Sequence, residues 1–229
     1  MMKKPSSGRK PNQNHKTKRA AVGDVRIIGG QFKRRTVNFI DADGLRPTPD
    51  RLRETLFNWL IADMHSAHVL DSCAGSGVLG FESLSRGAAH CTFIEMSAAQ
   101  SQMLRQSAEQ LRLDPTTYHI IQGAAEQVLT QNPLNQRHFD VVFIDPPYAE
   151  ELWQPILTTL ITQALINTET LIYLEADKAL EEQLSELAAK LNENSFAQKS
   201  ITQGVLGFEC LKQTKVGQVV AGLYRLSSS

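Results

Sequence analysis

The chain has 229 residues, of which 41% are hydrophobic and 21% are charged, and its formal net charge at pH 7 is zero. This length and composition are typical of one sizeable α/β domain with a buried core and modest appendages. No run approaches the roughly 20 consecutive apolar residues that span a bilayer, and the basic, polar start of the chain lacks the apolar stretch of a secretory signal. We therefore expect a cytoplasmic protein that does not enter a membrane.

The cysteines and histidines form neither a disulfide pattern nor a metal-binding pattern. Cys73, Cys91 and Cys210 are odd in number and lie far apart. His65 and His68 are three residues apart, but no Cys or Glu accompanies them with the spacing of a zinc site. We expect no disulfide framework and no metal.

Charge is distributed unevenly along the chain. Fourteen of the 24 basic residues but only four of the 24 acidic residues lie in residues 1–53. Such asymmetry indicates an attached arm that binds a polyanion. Residues 1–22 hold almost no apolar side chains, so we expect a disordered basic tail there. For this tail alone, a solvated segment without a partner is an equally good interpretation.

Residues 23–47 are predicted to be a basic extension with some regular structure. Two β-prone runs, at 25–28 and 35–39, flank Gly29 and Gly30. Short strands on either side of a glycine pair predict a small hairpin. The basic side chains of this segment would then be held on an ordered ribbon.

The main domain, predicted over residues 48–229, alternates strands and helices. Its first helix is expected to use Thr48 as N-cap and Pro49 as first helical residue, and to run to about Asp63. The further predicted strands are 67–70, 91–95, 118–122, 139–144 and 170–175, and the further helices are 78–86, 97–112, 125–131, 150–163 and 178–191. Two β-prone runs around 214–217 predict a closing hairpin with an antiparallel strand. This alternation predicts a parallel, doubly wound sheet with helices on both faces.

The sequence DSCAGSG at 71–77 lies between a predicted strand and a predicted helix. Gly75 and Gly77 allow a ligand to approach the backbone, and the helix N-terminus offers free N–H groups. Asp71 can meet a cationic group of a ligand, and Glu95, at the end of the next strand, can accept both hydroxyls of a ribose. An adenosine ligand with an amino-acid tail fits these positions better than a dinucleotide. A structural tight turn is the alternative for this short glycine pattern.

The tetrapeptide Asp145-Pro146-Pro147-Tyr148 follows an apolar strand, at the edge where α/β sheets bind ligands. The carboxylate of Asp145 and the carbonyl of Pro146 can accept both hydrogens of an exocyclic nucleobase amine and direct its lone pair toward a methyl donor. The prolines stiffen the backbone, and Tyr148 offers a stacking face worth about 1–3 kcal/mol. A proline-rich turn without a catalytic role is the alternative.

The order of DSCAGSG, Glu95 and DPPY resembles class I S-adenosylmethionine-dependent methyltransferases that act on amino groups. The segments RIIGGQFKRR and GLRPTPDRLRETLFNWL resemble the bacterial RsmD family, which methylates guanine N2 in small-subunit (16S) ribosomal RNA. The resemblance runs from about Val25 to Leu226. It implies a Rossmann-like, seven-stranded, mostly parallel sheet with an antiparallel last strand, and S-adenosylmethionine as cofactor. It also implies ribosomal RNA in an assembled or assembling small subunit as partner, and we expect a monomer.

The resemblance also implies roles for individual residues. The expected cofactor-binding residues are Arg46, Thr48, Asp71, Ala74, Gly75, Ser76, Gly77, Glu95, Ala124 and Ala125. The residues expected at the target amine are Asp145, Pro146, Pro147 and Tyr148. The residues expected to contact phosphates are Arg26, Lys33, Arg34, Arg35, Arg51 and Arg53.

Two positions depart from the family pattern. Ala124 stands where related enzymes often carry Asp or Asn for the adenine amino group. Adenine would then be bound by backbone groups and apolar packing, or by Glu126 if the register shifts. Cys73 stands where an aromatic side chain is frequent, and we expect a change in packing only.

Three other functions are compatible with parts of the pattern. A DNA methyltransferase acting on adenine N6 or cytosine N4 needs a target-recognition region, for which this compact chain leaves little room. A glutamine N5 protein methyltransferase usually has Asn rather than Asp145 before the two prolines. A non-enzymatic RNA-binding assembly factor would not require an intact Asp145.

Overall fold

The computed structural model describes residues 21–41, 47–131, 138–146, 152–176, 179–193 and 205–228. Its strands are β1 (Ala21–Arg26), β2 (Thr36–Asp41), β3 (His68–Asp71), β4 (His90–Glu95), β5 (Tyr118–Gln122), β6 (Val141–Ile144), β7 (Leu171–Ala176), β8 (Leu206–Val216) and β9 (Val219–Ser228). Its helices are α1 (Asp50–Trp59), α2 (Val78–Ser85), α3 (Ala98–Leu111), α4 (Ala125–Gln131), α5 (Trp153–Thr162) and α6 (Leu180–Glu193).

The main sheet has seven strands in the order β5-β4-β3-β6-β7-β9-β8. Strands β3 to β7 run parallel to one another, and β9 runs antiparallel to both β7 and β8. The predicted sheet with an antiparallel last strand is confirmed. The chain passes from β3 to β4 and β5 on one side, and later from β6 to β7 on the other. A crevice therefore opens beyond the carboxyl ends of β3 and β6.

The central strands are buried on both faces of the sheet. In β6, Val141 and Phe143 pack into one apolar cluster with α1, α2 and α3, whereas Val142 and Ile144 pack into a second cluster with α4, α5 and α6. None of these four side chains has exposed surface. An uninterrupted apolar run is typical of a parallel strand covered by helices on both faces. Helices on both faces therefore hold β6 in place, and with it the residue that follows β6 at the crevice.

The predicted N-terminal hairpin is confirmed, although its first strand lies earlier in the chain than expected. β1 and β2 pair antiparallel, and the loop between them is held on the end of α2. There, Gln31 N–H donates to the Ser85 carbonyl at 2.7 Å. Gly30 has a φ of +71°, and a Cβ at this position would overlap the same carbonyl. The glycine pair therefore serves close packing on α2 rather than a tight two-residue turn.

The first helix begins later than predicted, and the prediction of Thr48 as its N-cap is wrong. The N-cap of α1 is Pro49, without a side-chain capping bond. The Thr48 hydroxyl instead donates to Oδ2 of Asp145 at 3.3 Å, and its carbonyl accepts Nε–H of Arg53 at 3.0 Å. The hydroxyl that a local cap would have used thus has a tertiary partner, and the carbonyl is bonded by a side chain of α1 itself.

The hairpin and the main domain share one core. Val37 and Phe39 of β2 lie in the apolar cluster of α1, α2 and α3. Of the predicted tail, the structure describes only Ala21 and Val22, and both belong to β1. The boundaries between tail, extension and main domain stay predictions. Within the described part of the chain, no helix is long and apolar enough to cross a membrane.

Candidate active site

Three carboxylates meet where the strand order reverses. Asp71 ends β3, Glu95 ends β4 and Asp145 follows β6. Asp71 is paired with Phe143 in the register of β3 and β6, so Asp145 lies two residues further toward the crevice. The negative charge of Glu95 raises the pKa of Asp71, and the negative charge of Asp71 raises the pKa of Asp145. The structure therefore brings together three side chains that the sequence placed at strand ends.

Glu95 fixes the glycine-rich loop. Its Oε2 accepts the N–H of Gly75 at 2.8 Å, and its Oε1 accepts the N–H of Ser97 at 2.7 Å. Burial raises the pKa of Glu95, whereas these backbone hydrogen bonds lower it. Each carboxylate oxygen has a second lone pair and can accept one more hydrogen. The arrangement can therefore bind two neighbouring hydroxyls, as in a ribose.

The rest of the loop forms the turn from β3 into α2. Ala74 N–H donates to the Ile94 carbonyl at 2.9 Å, which ties the loop to β4. Ser76 is buried, and its hydroxyl accepts the N–H of Val78 at 3.3 Å. Cys73 is partly buried against the cluster of α4, α5 and α6, and burial raises the pKa of its thiol. The first turn of α2 therefore opens next to the crevice.

Gly77 is required by this turn. Its φ is +71°, and a Cβ would overlap Leu104 Cδ2 and lie 2.8 Å from Phe81 Cε2. We expect Gly77→Ala to lower the free energy of unfolding by about 1–3 kcal/mol, because backbone strain and crowding act together. Urea unfolding measures this loss. Gly217→Ala is the matched control, since Gly217 has a φ of +63° but no atom within 4 Å of the added Cβ. Equal losses in both variants would contradict the role of crowding.

Asp71 is enclosed at the base of the crevice. It is 4% exposed, and its Oδ2 accepts the N–H of Gly80 in α2 at 3.1 Å. Burial raises the pKa of Asp71 to about 7, the Gly80 bond lowers it, and the charge of Glu95 raises it. Its ionised form can attract a cationic ligand group across a short distance, and its side chain also anchors α2.

Asp145 has an elevated proton affinity. Burial raises its pKa well above the usual carboxyl range, the charges of Glu175 and Asp71 raise it further, and the Thr48 hydroxyl lowers it. Pro146 is buried beside it. Residues 42–46 and 147–151 are not among the described residues. The predictions for Arg46, Pro147 and Tyr148 therefore fall outside the described part of the chain.

Glu175 is an acidic neighbour that the sequence interpretation missed. Ile144 of β6 is paired with Leu174 of β7, so Asp145 and Glu175 occupy neighbouring positions at the crevice edge. Glu175 is 3% exposed and accepts the Tyr173 hydroxyl at 2.7 Å. An acidic residue near the end of an apolar strand was the available signal. Among the described residues, no three His, Cys, Asp or Glu side chains are grouped to hold a metal ion.

The side of the crevice at β4 and β5 offers an apolar contact. Met96, directly after Glu95, is 64% exposed, which is unusual for a large apolar side chain, and the sequence interpretation missed it. Ala124 directly precedes α4, and Ala125 is its first residue. Glu126 lies in the first turn of α4 and is half-buried. The side chain at position 124 offers no polar group, so this side chain itself cannot hydrogen-bond a ligand.

The predicted phosphate-binding residues separate into an exposed and a buried group. Those that are exposed are Arg26, Lys33, Arg34, Arg35 and Arg51. Arg35 uses part of its guanidinium to bond the Leu111 carbonyl at the end of α3, at 3.0 Å. The exposed set lies on the hairpin and the start of α1, which agrees with a basic surface.

Arg53 must be withdrawn from this set. Its side chain has no exposed surface and donates to the carbonyls of Thr48 and Arg26, each at 3.0 Å. Its guanidinium also pairs with Asp50 and with Glu82. A fully enclosed guanidinium cannot contact a phosphate, so the expectation for Arg53 is wrong. Its charge joins α1, α2 and the hairpin instead.

Comparisons with known proteins identify relatives of this chain and solved structures with a similar fold. The sequence profile of the family described as Conserved hypothetical protein 95 matches residues 25–205. Two relatives named Ribosomal RNA small subunit methyltransferase D, from Haemophilus influenzae and Escherichia coli strain K12, are each 40% identical to this chain, over 158 and 169 residues. The matches cover 69% and 74% of this chain, and 81% and 80% of the relatives. The solved structure of yhhF from Escherichia coli is 32% identical, with a TM-score of 0.69, and the match covers 90% of this chain and 100% of that one.

Proposed function

The chain belongs to the RsmD family of ribosomal RNA small-subunit methyltransferases, and we propose that it methylates the exocyclic N2 of a guanine in 16S ribosomal RNA, within an assembled or assembling small subunit. S-adenosylmethionine is the methyl donor. One observation carries the proposal: the loop held by Glu95 and the carboxylate of Asp145 lie in the same crevice, on either side of Asp71.

The residues of the crevice fit S-adenosylmethionine. Glu95 has free lone pairs for the ribose hydroxyls, and Met96 offers an apolar face to the adenine. The turn at Gly75 and Gly77 and the N-terminus of α2 suit the methionine carboxylate. The absence of a polar side chain at Ala124 leaves the adenine amino group to backbone acceptors or to Glu126 in the first turn of α4. When bound, S-adenosylmethionine supplies a methyl group on a positively charged sulfur.

Asp145 orients the target amine in this proposal. One carboxylate oxygen accepts an N–H of the amine while the Thr48 hydroxyl holds Oδ2. The Pro146 carbonyl accepts the second N–H, Pro147 stiffens the turn and Tyr148 stacks on the base, as the family pattern implies. Holding both hydrogens directs the lone pair, otherwise delocalised into the ring, toward the methyl carbon. The released proton passes to Asp145 or to water, and the target base must be unstacked to enter.

Ionisation of Asp71 should control cofactor affinity near neutral pH. The cationic amine of the cofactor favours ionised Asp71, whose pKa burial raises to about 7. Affinity for S-adenosylhomocysteine is therefore expected to fall by roughly tenfold between pH 7.5 and pH 6, because binding must then remove a proton. Calorimetric titration of the wild type and of Asp71→Asn checks this. The Asn variant keeps an acceptor for Gly80 but cannot ionise, so a slope that persists in it would assign the effect to another group, such as Glu95.

The exposed basic residues are proposed to bind the RNA backbone. Replacing Lys33 and Arg34 together by Ala should weaken RNA binding several-fold. It should also reduce the slope of log affinity against log salt concentration by up to about two, because each lost phosphate contact lowers this slope by about one. Filter binding at several salt concentrations measures both quantities. Lys212→Ala together with Lys215→Ala is the matched control, since these two lysines lie on β8, away from the hairpin. An unchanged salt slope in the hairpin variant would remove it from the proposed RNA surface.

The substrate is tested by methyl transfer from labelled S-adenosylmethionine. Separate incubations contain small ribosomal subunits that lack the family's methylation, naked 16S ribosomal RNA, and DNA. We expect label in the small subunit, recovered as N2-methylguanosine after nuclease digestion. Label in DNA alone, in protein, or in none of the substrates would contradict the proposal. Label in naked RNA but not in subunits would contradict only the assembled or assembling substrate.

A further inference from the structure

Gln100 joins the basic hairpin to the glycine-rich loop. It lies in the first turn of α3 and is 2% exposed. Its Nε2–H donates to the Gly75 carbonyl at 2.7 Å, and its Oε1 accepts the N–H of Ile40 in β2 at 2.8 Å. The oxygen and the nitrogen of one buried amide are thus bonded to the backbone of two segments that lie far apart in the sequence. A buried amide that loses either partner leaves an unsatisfied polar group, which makes this bridge sensitive to the position of each segment.

On one side of the bridge, the hairpin lies along α3. Besides Ile40, the N–H of Asn38 donates to the Ser107 hydroxyl at 3.3 Å, and Arg35 donates to the Leu111 carbonyl at 3.0 Å. Gln100 and Ser107 are two helical turns apart on the same face of α3, and they capture alternate N–H groups of β2. A shift of β2 along α3 would therefore displace the partner of Gln100.

On the other side, Gln100 completes the anchoring of one peptide segment in the cofactor loop. The N–H of Gly75 is held by Glu95 at 2.8 Å, and its carbonyl is held by Gln100 at 2.7 Å. Gln100 N–H also donates to the hydroxyl of Ser97, the N-cap of α3, whose own N–H is bonded to Glu95. The orientation of Gly75 and the carboxylate of Glu95 thus belong to one network that reaches β2.

We propose that Gln100 is a positioning residue through which the docked hairpin sets the conformation of the cofactor loop, so that RNA on the hairpin and cofactor in the crevice strengthen each other's binding. The inference rests on the proposed function for the identity of the RNA. The coupling itself is a statement about binding and is reciprocal, so it can be measured without turnover. No other described side chain donates to the Gly75 carbonyl while also accepting from the hairpin backbone.

Equilibrium dialysis of labelled S-adenosylhomocysteine, with and without small ribosomal subunits that lack the family's methylation as the source of RNA, tests the coupling in the full chain. We expect RNA to raise the affinity of the wild type several-fold. Gln100→Met, which fills the same space without polar atoms, should bind S-adenosylhomocysteine about five- to tenfold more weakly and lose the response to RNA. Gln102→Met, on the exposed face of the same helix, should behave as the wild type. Unchanged affinity and an unchanged RNA response in Gln100→Met would overturn the proposal.

Gln100→Glu keeps the test valid if the Met variant does not fold. The carboxylate can still accept the Ile40 N–H but cannot donate to the Gly75 carbonyl. Hydrogen exchange at Ile40 should stay slow while S-adenosylhomocysteine binding weakens; wild-type affinity in this variant would contradict the role of the loop bond. A wild type whose affinity ignores RNA would overturn the coupling even if methyl transfer to small subunits occurs. Absence of methyl transfer, with RNA-linked binding intact, would instead contradict the proposed function alone.

Discussion

Asp145→Ala is expected to reduce methyl transfer by at least about 100-fold while S-adenosylhomocysteine still binds. The variant removes the carboxylate that the proposal places against the amine hydrogens, and misplacement of a reacting group by about 1 Å costs a factor of this size. It also removes a carboxylate whose pKa burial and the charges of Glu175 and Asp71 raise. Less like charge near Asp71 and Glu175 should leave cofactor binding unchanged or slightly stronger.

Single-turnover transfer to small subunits, together with calorimetric titration of S-adenosylhomocysteine, separates the two effects. Asp140→Ala is the matched control, because Asp140 lies just before β6, at the opposite end of the strand, where its carboxylate accepts the His68 N–H at 2.7 Å. That variant should keep wild-type transfer once it is folded. Retention of more than about a tenth of the activity in Asp145→Ala would refute the assigned role, and loss of cofactor binding would make Asp145 a cofactor residue instead.

The same carboxylate predicts how the rate depends on pH. The proposal requires Asp145 to accept hydrogen bonds, so the ionised form is the active one. Because its pKa is raised, the active fraction grows as pH rises through that value and falls as pH drops below it. The Thr48 hydroxyl lowers the pKa of Asp145 and therefore favours the ionised form. Thr48 is the residue that the sequence had predicted as the N-cap of α1.

The fold was predictable because the central strands carry their own signature. Apolar runs such as that of β6, separated by helical segments, are buried on both faces wherever a parallel sheet is covered by helices. The boundaries of α4 and β5 matched the prediction residue for residue. The position of β1 could not be predicted, because it follows from the docking of Gly30 on Ser85, a contact between segments 55 residues apart.

The residues of the candidate site likewise divide into those that the sequence could predict and those that it could not. Asp71, Glu95 and Asp145 were predictable because each stands at a strand end beside a turn motif, and local sequence decides that placement. Gln100 gave no such signal, since an amide on a helix is ordinarily solvated, and only the folded chain shows both of its partners. Arg53 was misassigned for the converse reason: a basic residue in a basic segment is usually exposed, and its burial depends on a carboxylate in a different helix.

Glu82→Ala should lower the free energy of unfolding by about 3–5 kcal/mol, the largest single loss of stability we expect in this chain. Glu82 has no exposed surface, and its Oε2 accepts the N–H of Ile28 at 2.9 Å and lies 3.4 Å from Arg53 Nη1. Its Oε1 pairs with Arg86 at 2.9 Å. The variant leaves the enclosed guanidinium of Arg53 with only Asp50 as a charged partner among the ion pairs described here. The large effect is expected because an enclosed charge has then lost one of its two carboxylate partners, the one that is itself fully buried.

Urea unfolding at neutral pH measures this loss, and Glu209→Ala supplies the control. Glu209 forms an ion pair with Arg225 at 2.7 Å, but both side chains are more than two-fifths exposed, so its removal should cost less than about 1 kcal/mol.

Replacing Arg53 by Met together with Glu82 by Leu should restore part of the stability lost in Glu82→Ala, because no charge then stays enclosed without its partner. Hydrogen exchange at Ile28 in the hairpin distinguishes the local loss of this hydrogen bond from the loss of global stability. In the double variant the N–H of Ile28 has lost its acceptor, so hydrogen exchange there should stay fast even when the midpoint of unfolding recovers. A double variant as unstable as Glu82→Ala would instead mean that the hydrogen bonds lost at Ile28, Thr48 and Arg26, and not the enclosed charge, account for the loss.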